Sequence, residues 1–334
     1  MTTYSIIICT RNRARYLRRT LEAISQLTVP SGSQIELIVV NNGSEDDTDV
    51  VVTSMSECLA NYNCIWLYEN CRGKSWALNR ALKASTGSVL LFTDDDVLPP
   101  TNWVEAMCGP ILSDEADAVA GGLRLGSEIN TLGLTAEHRS WLATTEYCQR
   151  PHDPPLVGAN MAISRRVFDT VPWFDPEVGP GATGHAEDTL FWLQVRAAGF
   201  RIISRYDIVA EHNPDPSRAT RRGFVQLAEK HGEFAAYIDY HWNRIDRRHP
   251  YLALVHAAAR LWMFRARHLP DWMAARMMPV WEMELLEHYN FRRWLLHERS
   301  RPPNYDRNGC VKLRGILPVG LNSLPNEVLI AAGA

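Results

Sequence analysis

The first hundred residues repeat one unit: a short apolar run, a polar turn, then a segment with helical spacing. The runs are Tyr4–Cys9, Ile35–Val40, Cys64–Tyr68 and Val89–Thr93. Between them lie Arg13–Leu27, Asp46–Leu59 and Lys74–Ser85, the first with Leu17, Leu21 and Ile24 on one helical face. Continuous apolar runs alternating with helices predict an α/β fold, with a mostly parallel sheet covered on both faces. Ligands in such sheets bind beyond the carboxyl ends of the strands. The turns Cys9-Thr10-Arg11, Asn41-Asn42-Gly43 and Asp94-Asp95-Asp96 all fall there, so they are expected to converge on one cleft.

Past that region the pattern changes. Asp117–Leu125 and Val157–Ser164 read as further strands, and from about Arg218 the chain is helical and rich in Trp, Arg and Met. Residues 213–313 hold 17 of the 35 Lys/Arg but 11 of the 38 Asp/Glu, which leaves 18 against 27 elsewhere. We therefore expect an α/β domain over 1–213 and a mainly helical region over 214–334. The chain of 334 residues is 46% hydrophobic and 22% charged with net charge −3, a globular composition with no basic excess for nucleic acid. Seven cysteines, an odd number with no CxxC, predict reduced thiols. The opening MTTYSIIICTRNR lacks a signal peptide's apolar run, and the longest apolar candidate, Tyr251 to Phe264, is interrupted by His256 and Arg260. A cytoplasmic location is expected.

Three consecutive aspartates at the end of a buried run repel one another unless something compensates. A solvated turn is one solution. A divalent cation is the other, because carboxylate oxygens suit Mg²⁺ or Mn²⁺ and such ions commonly bridge to a substrate phosphate. In an extended turn Asp94 and Asp96 can point the same way into the cleft, with Asp95 between them. Glu187-Asp188 opens a helix, where the dipole favours acids, and follows the loop FDPEVGPGATGH, which is expected to be mobile. Gly73-Lys74 at another helix start offers a phosphate contact. His212 follows a last short strand.

Taken together and in order, these pieces resemble family 2 glycosyltransferases of the GT-A fold over roughly residues 3–213. YSIIICTRNRARYLRRTLEAI is similar to that family's first strand, turn and helix. IELIVVNNGSEDDT resembles its second strand and turn, and RGKSWALNRALKASTGSVLLFTDDDVLPP its block around a D-x-D. VGANMAISRRVFDTV and GHAEDTLFWLQVRAAGFRI resemble the later segments. The resemblance implies a nucleotide-sugar donor, a saccharide, lipid-linked or other hydroxyl acceptor, Mn²⁺ or Mg²⁺, and an inverting displacement. It implies that Asp96 binds metal and that Asp94 faces the ribose or the metal's water shell, with Asp95 beside them at the donor. His212 falls where some members place a further metal ligand. Thr10, Arg11 and Asn41 match positions that hold the base, Lys74 a position near the donor, Asp188 the general base and Glu187 an acceptor contact. Asn41 replaces the usual aspartate. An amide can both accept from and donate to uracil, which makes a UDP-sugar the expected donor.

Two rival readings compete with this one. A haloacid dehalogenase-type phosphatase also places D-x-D after a strand, but usually as the domain opens. A catalytically silent sugar- or nucleotide-binding module would tolerate loss of the acids, yet Asp94, Asp96 and Asp188 are all present. In the helical region Tyr251, Leu254, Val255, Ala258, Leu261 and Trp262 form an apolar stripe flanked by Arg260, Arg265, Arg267 and His268. Core packing, a homodimer interface and peripheral contact with anionic lipid are the three expectations for it.

Overall fold

The computed structural model describes residues 2–55, 58–146, 154–245, 247–275 and 277–316. The sequence's first half folds as β1 (Thr2–Thr10), α1 (Ala14–Ser25), β2 (Ser33–Asn41), α2 (Thr48–Ser54), β3 (Asn63–Tyr68), α3 (Lys74–Ala84) and β4 (Val89–Asp94). There follow β5 (Val97–Leu98), α4 (Trp103–Leu112), β6 (Ala118–Leu125), the short helices α5 (Ser127–Asn130) and α6 (Ala136–Trp141), β7 (Asn160–Ser164), α7 (Glu187–Ala197) and β8 (Ile202–His212). The helical region comprises α8 (Arg221–Tyr237), α9 (Pro250–Arg267), α10 (Leu269–Ala274) and α11 (Val280–Glu298). Helix α2 is shorter than its pattern suggested. Its three adjacent valines, Val50 to Val52, lose rotamer freedom in a helix.

The strands form one eight-stranded sheet in the order β3-β2-β1-β4-β7-β6-β8-β5. Side-chain alternation divides its core in two. Ile6, Ile8, Leu37, Val39 and Leu91 face α1, α2 and α4. Ile7, Ile38, Val40, Leu90 and Phe92 face α3 and α7. With both faces covered, each strand must be apolar at every position, which is why these runs are continuous. The first four strands are parallel, but β7 runs antiparallel to both β4 and β6. Asn160 opens β7 and staples this junction: its amide donates to the Gly122 and Ile208 carbonyls at 2.8 and 3.1 Å and accepts from Trp103 Nε1 at 2.8 Å.

Register sets the strand ends level. Thr10 pairs with Asn41, Asn41 with Tyr68, and Cys9 with Asp94. The helical region is joined to this sheet by shared cores. Phe224, Leu261 and Met283 pack with Leu125, Ile129 and Leu142. A second junction is polar. Asp175 accepts from Tyr237, Tyr305 and Lys312 at 2.7, 2.6 and 2.5 Å, while Glu177 accepts from Lys312, Arg301 and Asn304 at 2.5, 2.7 and 2.8 Å. The segment from Arg301 to Lys312 thereby straps the loop before α7 to the helices. Among the described residues no helix is long and apolar enough to cross a membrane, and the six described cysteines are free.

Candidate functional site

The level strand ends border a cavity of about 330 Å³, lined among others by Thr10, Arg11, Arg13, Lys74 and Asp94 to Asp96. Each of the three aspartates has its own compensation. Asp94 meets Lys74 Nζ at 2.7 Å. Asp95 turns inward: its carboxylate accepts from Thr10 Oγ1 at 2.7 Å and lies 2.9 Å from Arg13 Nε, and its carbonyl accepts from Thr20 at 2.9 Å. Asp96 pairs with Arg13 Nη2 and lies 3.5 Å from His212 Nε2, both side chains buried. Strand pairing of Val97 with His212 is what brings that imidazole to the turn.

Across the cavity's edge Lys74 also meets Glu187 Oε1 at 3.0 Å, so one ammonium joins the aspartate turn to the α7 N-terminus. Burial alone would pull Lys74 down, but Asp94, Glu187 and Asp188 outweigh it and hold the ammonium well above the usual lysine range. Asp188 accepts from the Gly158 N–H at 2.7 Å. Burial, with Glu187 adding repulsion, pushes its carboxyl up to about 6 despite Lys74. Burial likewise raises Asp95 to about 7 against the pull of Arg13, whereas His212 and Arg13 overcome burial at Asp96 and hold it well below the carboxylate range.

The loop before α7 is a docked wall. Lys74 N donates to the Pro180 carbonyl at 2.9 Å, Ser75 Oγ to Val178 at 2.7 Å, and Asn79 Nδ2 to Phe174 at 2.8 Å. Only Pro180 and Gly181, at its tip, are exposed. A Cβ on Gly181, at φ +92°, would approach Gly73 Cα to 2.9 Å, so the wall fits α3 only because both lack side chains.

The structure brings Thr10, Arg11, Lys74, Asp94, Asp95 and Asp96 into one lining, with Glu187, Asp188 and His212 immediately behind it. Asn41 is not among them. Its Oδ1 accepts from Ser44 N at 2.8 Å and its Nδ2 donates to Asp49 at 2.7 Å, so the side chain is engaged within its own turn. The neighbouring Asn42 lines the cavity and ties the 69–73 loop, accepting from Gly73 N at 2.9 Å and donating to Cys71 at 2.7 Å. Sequence reasoning missed Arg13 and Arg218. Arg13 is the residue before α1, stacked 4.6 Å over Tyr16. Arg218 enters the lining from beyond the last strand; its backbone N–H donates to the Asp215 carbonyl at 2.9 Å, and among the described residues its guanidinium has no hydrogen bond or ion pair.

The donor set can be tested against a divalent cation. Asp94, Asp95, Asp96 and Glu187 draw their arginine and lysine ion pairs from two side chains among the described residues, Arg13 and Lys74, while Arg11, Arg72 and Arg218 line the same cavity. His212 Nδ1 is buried without a partner. Among the described residues no three His, Cys, Asp or Glu side chains could enclose a metal by themselves. One carboxylate and one imidazole suit an ion such as Mn²⁺ whose remaining positions go to phosphate oxygens and water. The residues fit.

The model of glycosyl transferase family 2 matches residues 5–171, half of the chain. The chain belongs to that family. AglE of Haloferax volcanii, a glycosyltransferase, is 31% identical over 36% of this chain and 38% of its own. The probable glycosyltransferase YdaM of Bacillus subtilis is 28% identical over 59% of this chain and 47% of its own. The chain thus spans less than half the length of these curated relatives. In fold it is similar to the mannosyltransferase PcManGT of Pyrobaculum calidifontis, solved with GDP-Man and Mn²⁺, at TM-score 0.59, 21% identity and coverage of 89% and 87%. It is also similar to S. aureus TarS 1–349 with UDP, at TM-score 0.51, 17% identity and coverage of 90% and 92%. The mixed sheet with flanking helices is therefore the GT-A arrangement. Family membership runs against the phosphatase alternative.

Proposed function

We propose that this family 2 chain transfers a sugar, with inversion, from a nucleoside-diphosphate sugar to an acceptor hydroxyl of a saccharide, lipid-linked sugar or other glycoconjugate. One observation carries the reading: Lys74 joins the aspartate turn at the strand ends to Glu187, the neighbour of Asp188, across the mouth of a single cavity. Asp96 and His212 would hold a divalent cation, with Asp94 reaching its water shell. When bound, that ion supplies positive charge where the leaving diphosphate accumulates negative charge. Arg218 adds a second cation facing the same cavity.

Asp188 receives the acceptor's proton. A carboxylate near pKa 6 is ionised at neutral pH yet more basic than an ordinary aspartate, which suits that work. The Gly158 N–H fixes one of its oxygens, and Glu187, held by Lys74, orients the acceptor. The base would come from α7 and the residues holding the leaving group from the β4–β5 turn, a separate element, as attack from the side opposite the leaving group requires. Thr10 positions the base pocket by holding Asp95, and Arg11 lines it. Because the turn engages the Asn41 amide, uracil recognition through that side chain lacks structural support, and UDP is retained as the first nucleotide to test. The catalytic unit is then 1–213, with the region after 214 completing its cleft through Arg218.

A screen of nucleotide sugars for hydrolysis and transfer, with Mn²⁺ or Mg²⁺, tests the proposal. Activity should fall to background in excess EDTA and in Asp96→Ala. Full activity in EDTA would remove the metal from the reading.

A further inference from the structure

Helix α9 packs on the helical region with a narrow strip of itself. Ala257 and Leu261 are its only buried residues, Leu261 lying against Met283, Leu285 and Leu286. Of the stripe read from the sequence, Leu261 is therefore core, Leu254 and Ala258 are half-buried, and Tyr251, Val255 and Trp262 face outward. Tyr251, Leu252, Val255, Trp262 and Met263 are 75, 54, 61, 64 and 61% exposed, and Leu269 and Met273 on α10 continue the face at 45 and 73%. On α9, the stretch from Leu252 to Met263 covers about 17 Å of helix. Water-facing apolar residues are ordinary singly, but a continuous helical stripe of this size marks a binding surface.

The charge along α9 narrows what binds there. The helix carries Arg260, Arg265 and Arg267 and no acidic residue in 18 positions. Arg265 is neutralised by Glu282 at 2.7 Å. Arg260, 5.9 Å over the Phe264 ring, and Arg267 are exposed and have no carboxylate partner among the described residues, and Arg248 stands exposed just before the helix. A second copy of the chain would present the same cations to this face, so self-association brings like charges together. An anionic bilayer offers what both parts of the face lack: acyl chains for the stripe and phosphate headgroups for the arginines. Long arginine stems can lie along the stripe while their heads reach the phosphates. His256 and Arg260 interrupt the apolar sequence, so the helix would lie in the interface instead of crossing it.

We propose that the exposed face of α9 and the adjoining α10 docks this protein onto anionic lipid membranes. The inference is independent of the transferase reading, since binding is measured without donor or acceptor. The full chain is mixed with phosphatidylcholine vesicles, with and without phosphatidylglycerol, and sedimented at low and high salt. Cosedimentation is expected only with phosphatidylglycerol, and added salt should release it. Trp262→Ser with Met263→Ser should lower partitioning about tenfold or more. Arg260→Gln with Arg267→Gln should lower it roughly fivefold per arginine removed.

Both variants change exposed side chains and should melt with the wild type. A variant melting well below it would place the stripe inside a packed structure and overturn the proposal. So would failure of the wild type to sediment with either vesicle, or equal, salt-insensitive binding to both. A wild-type dimer by light scattering that Trp262→Ser/Met263→Ser turns into monomer would identify a second copy as the occupant instead.

Discussion

The strap and the cleft both bury carboxylates, and they solve the problem differently. At the strap, Asp175 and Glu177 share Lys312, whose side chain is fully buried, and every neighbour is a donor: Tyr237, Tyr305, Arg301 and Asn304. Burial would raise Glu177, yet Lys312 and Arg301 hold it below the ordinary glutamate value. At the cleft, Arg13 and Lys74 are each shared between two acids, and Asp188, with no ion pair among the described residues, is driven up to about 6. A buried cluster with full compensation fixes structure. One left short of positive charge stores the demand for a ligand that supplies it.

Removing each of the two lysines in turn is the most forceful way to break this comparison. Lys312→Met should cost about 3–5 kcal/mol of stability, because two buried carboxylates lose their shared cation. Lys74→Met leaves Asp94 and Glu187, but Asp94 is partly open to water and can hydrate, so the loss of stability should be smaller. Its transfer activity should nevertheless fall further than that of any Lys312 variant which still folds. Denaturant titration and turnover, measured on both, rank the pair. If Lys74→Met unfolds first, the cleft is as structural as the strap.

Next in size is Asp188→Asn. Turnover should drop ~100-fold or more while donor affinity survives, the signature of a lost general base. Stability should move the other way. The folded state binds the Asp188 proton more tightly than the unfolded chain, so wild-type stability declines as pH rises from the ordinary aspartate value through about 6. Asparagine cannot ionise and can still accept from Gly158, so the variant should melt higher than wild type above pH 6 and converge with it in acid. Wild-type turnover in this variant would move the base elsewhere. In the wild type, kcat should rise with pH through about 6 and then level, and an acid limb displaced below 4.5 would remove burial as the cause.

The fold was legible because both sheet faces are covered: Ile6 and Ile7 point to opposite cores, yet both must be apolar, so strands announce themselves as unbroken runs. Asp94 to Asp96 were legible because charge at the end of such a run is conspicuous. Arg13 was hidden among Arg11, Arg15, Arg18 and Arg19, where only the placement of one side chain under Asp95 and Asp96 distinguishes it. Arg218 lay in a region that read as separate, and its place depends on how β8 delivers the chain back to the cleft. The direction of β7 was illegible for a related reason, since a strand's sequence carries its burial and not its polarity. The loop FDPEVGPGATGH reads as mobile by composition; its hydrogen bonds to α3, a hundred residues earlier, were not legible, because three-body fits of that kind leave no local pattern.

Asn41 gives the smallest expected effect and the finest test of the cleft. Its amide holds a turn, accepting from Ser44 and donating to Asp49. Asn41→Asp would keep the acceptor but set a carboxylate against Asp49, loosening the turn by like-charge repulsion. If the side chain acts only through that turn, UDP and GDP should both bind severalfold more weakly and their affinity ratio should stay constant. If it reads the base, the two must diverge, because an aspartate can accept both adjacent donors of guanine but can donate nothing to uracil. Calorimetric titration of both nucleotides against both proteins, with Mn²⁺ present, separates these outcomes. A ratio that shifts tenfold toward GDP would return base selection to residue 41. A constant ratio assigns it to backbone and to Arg11, which lines the cavity just past the end of β1.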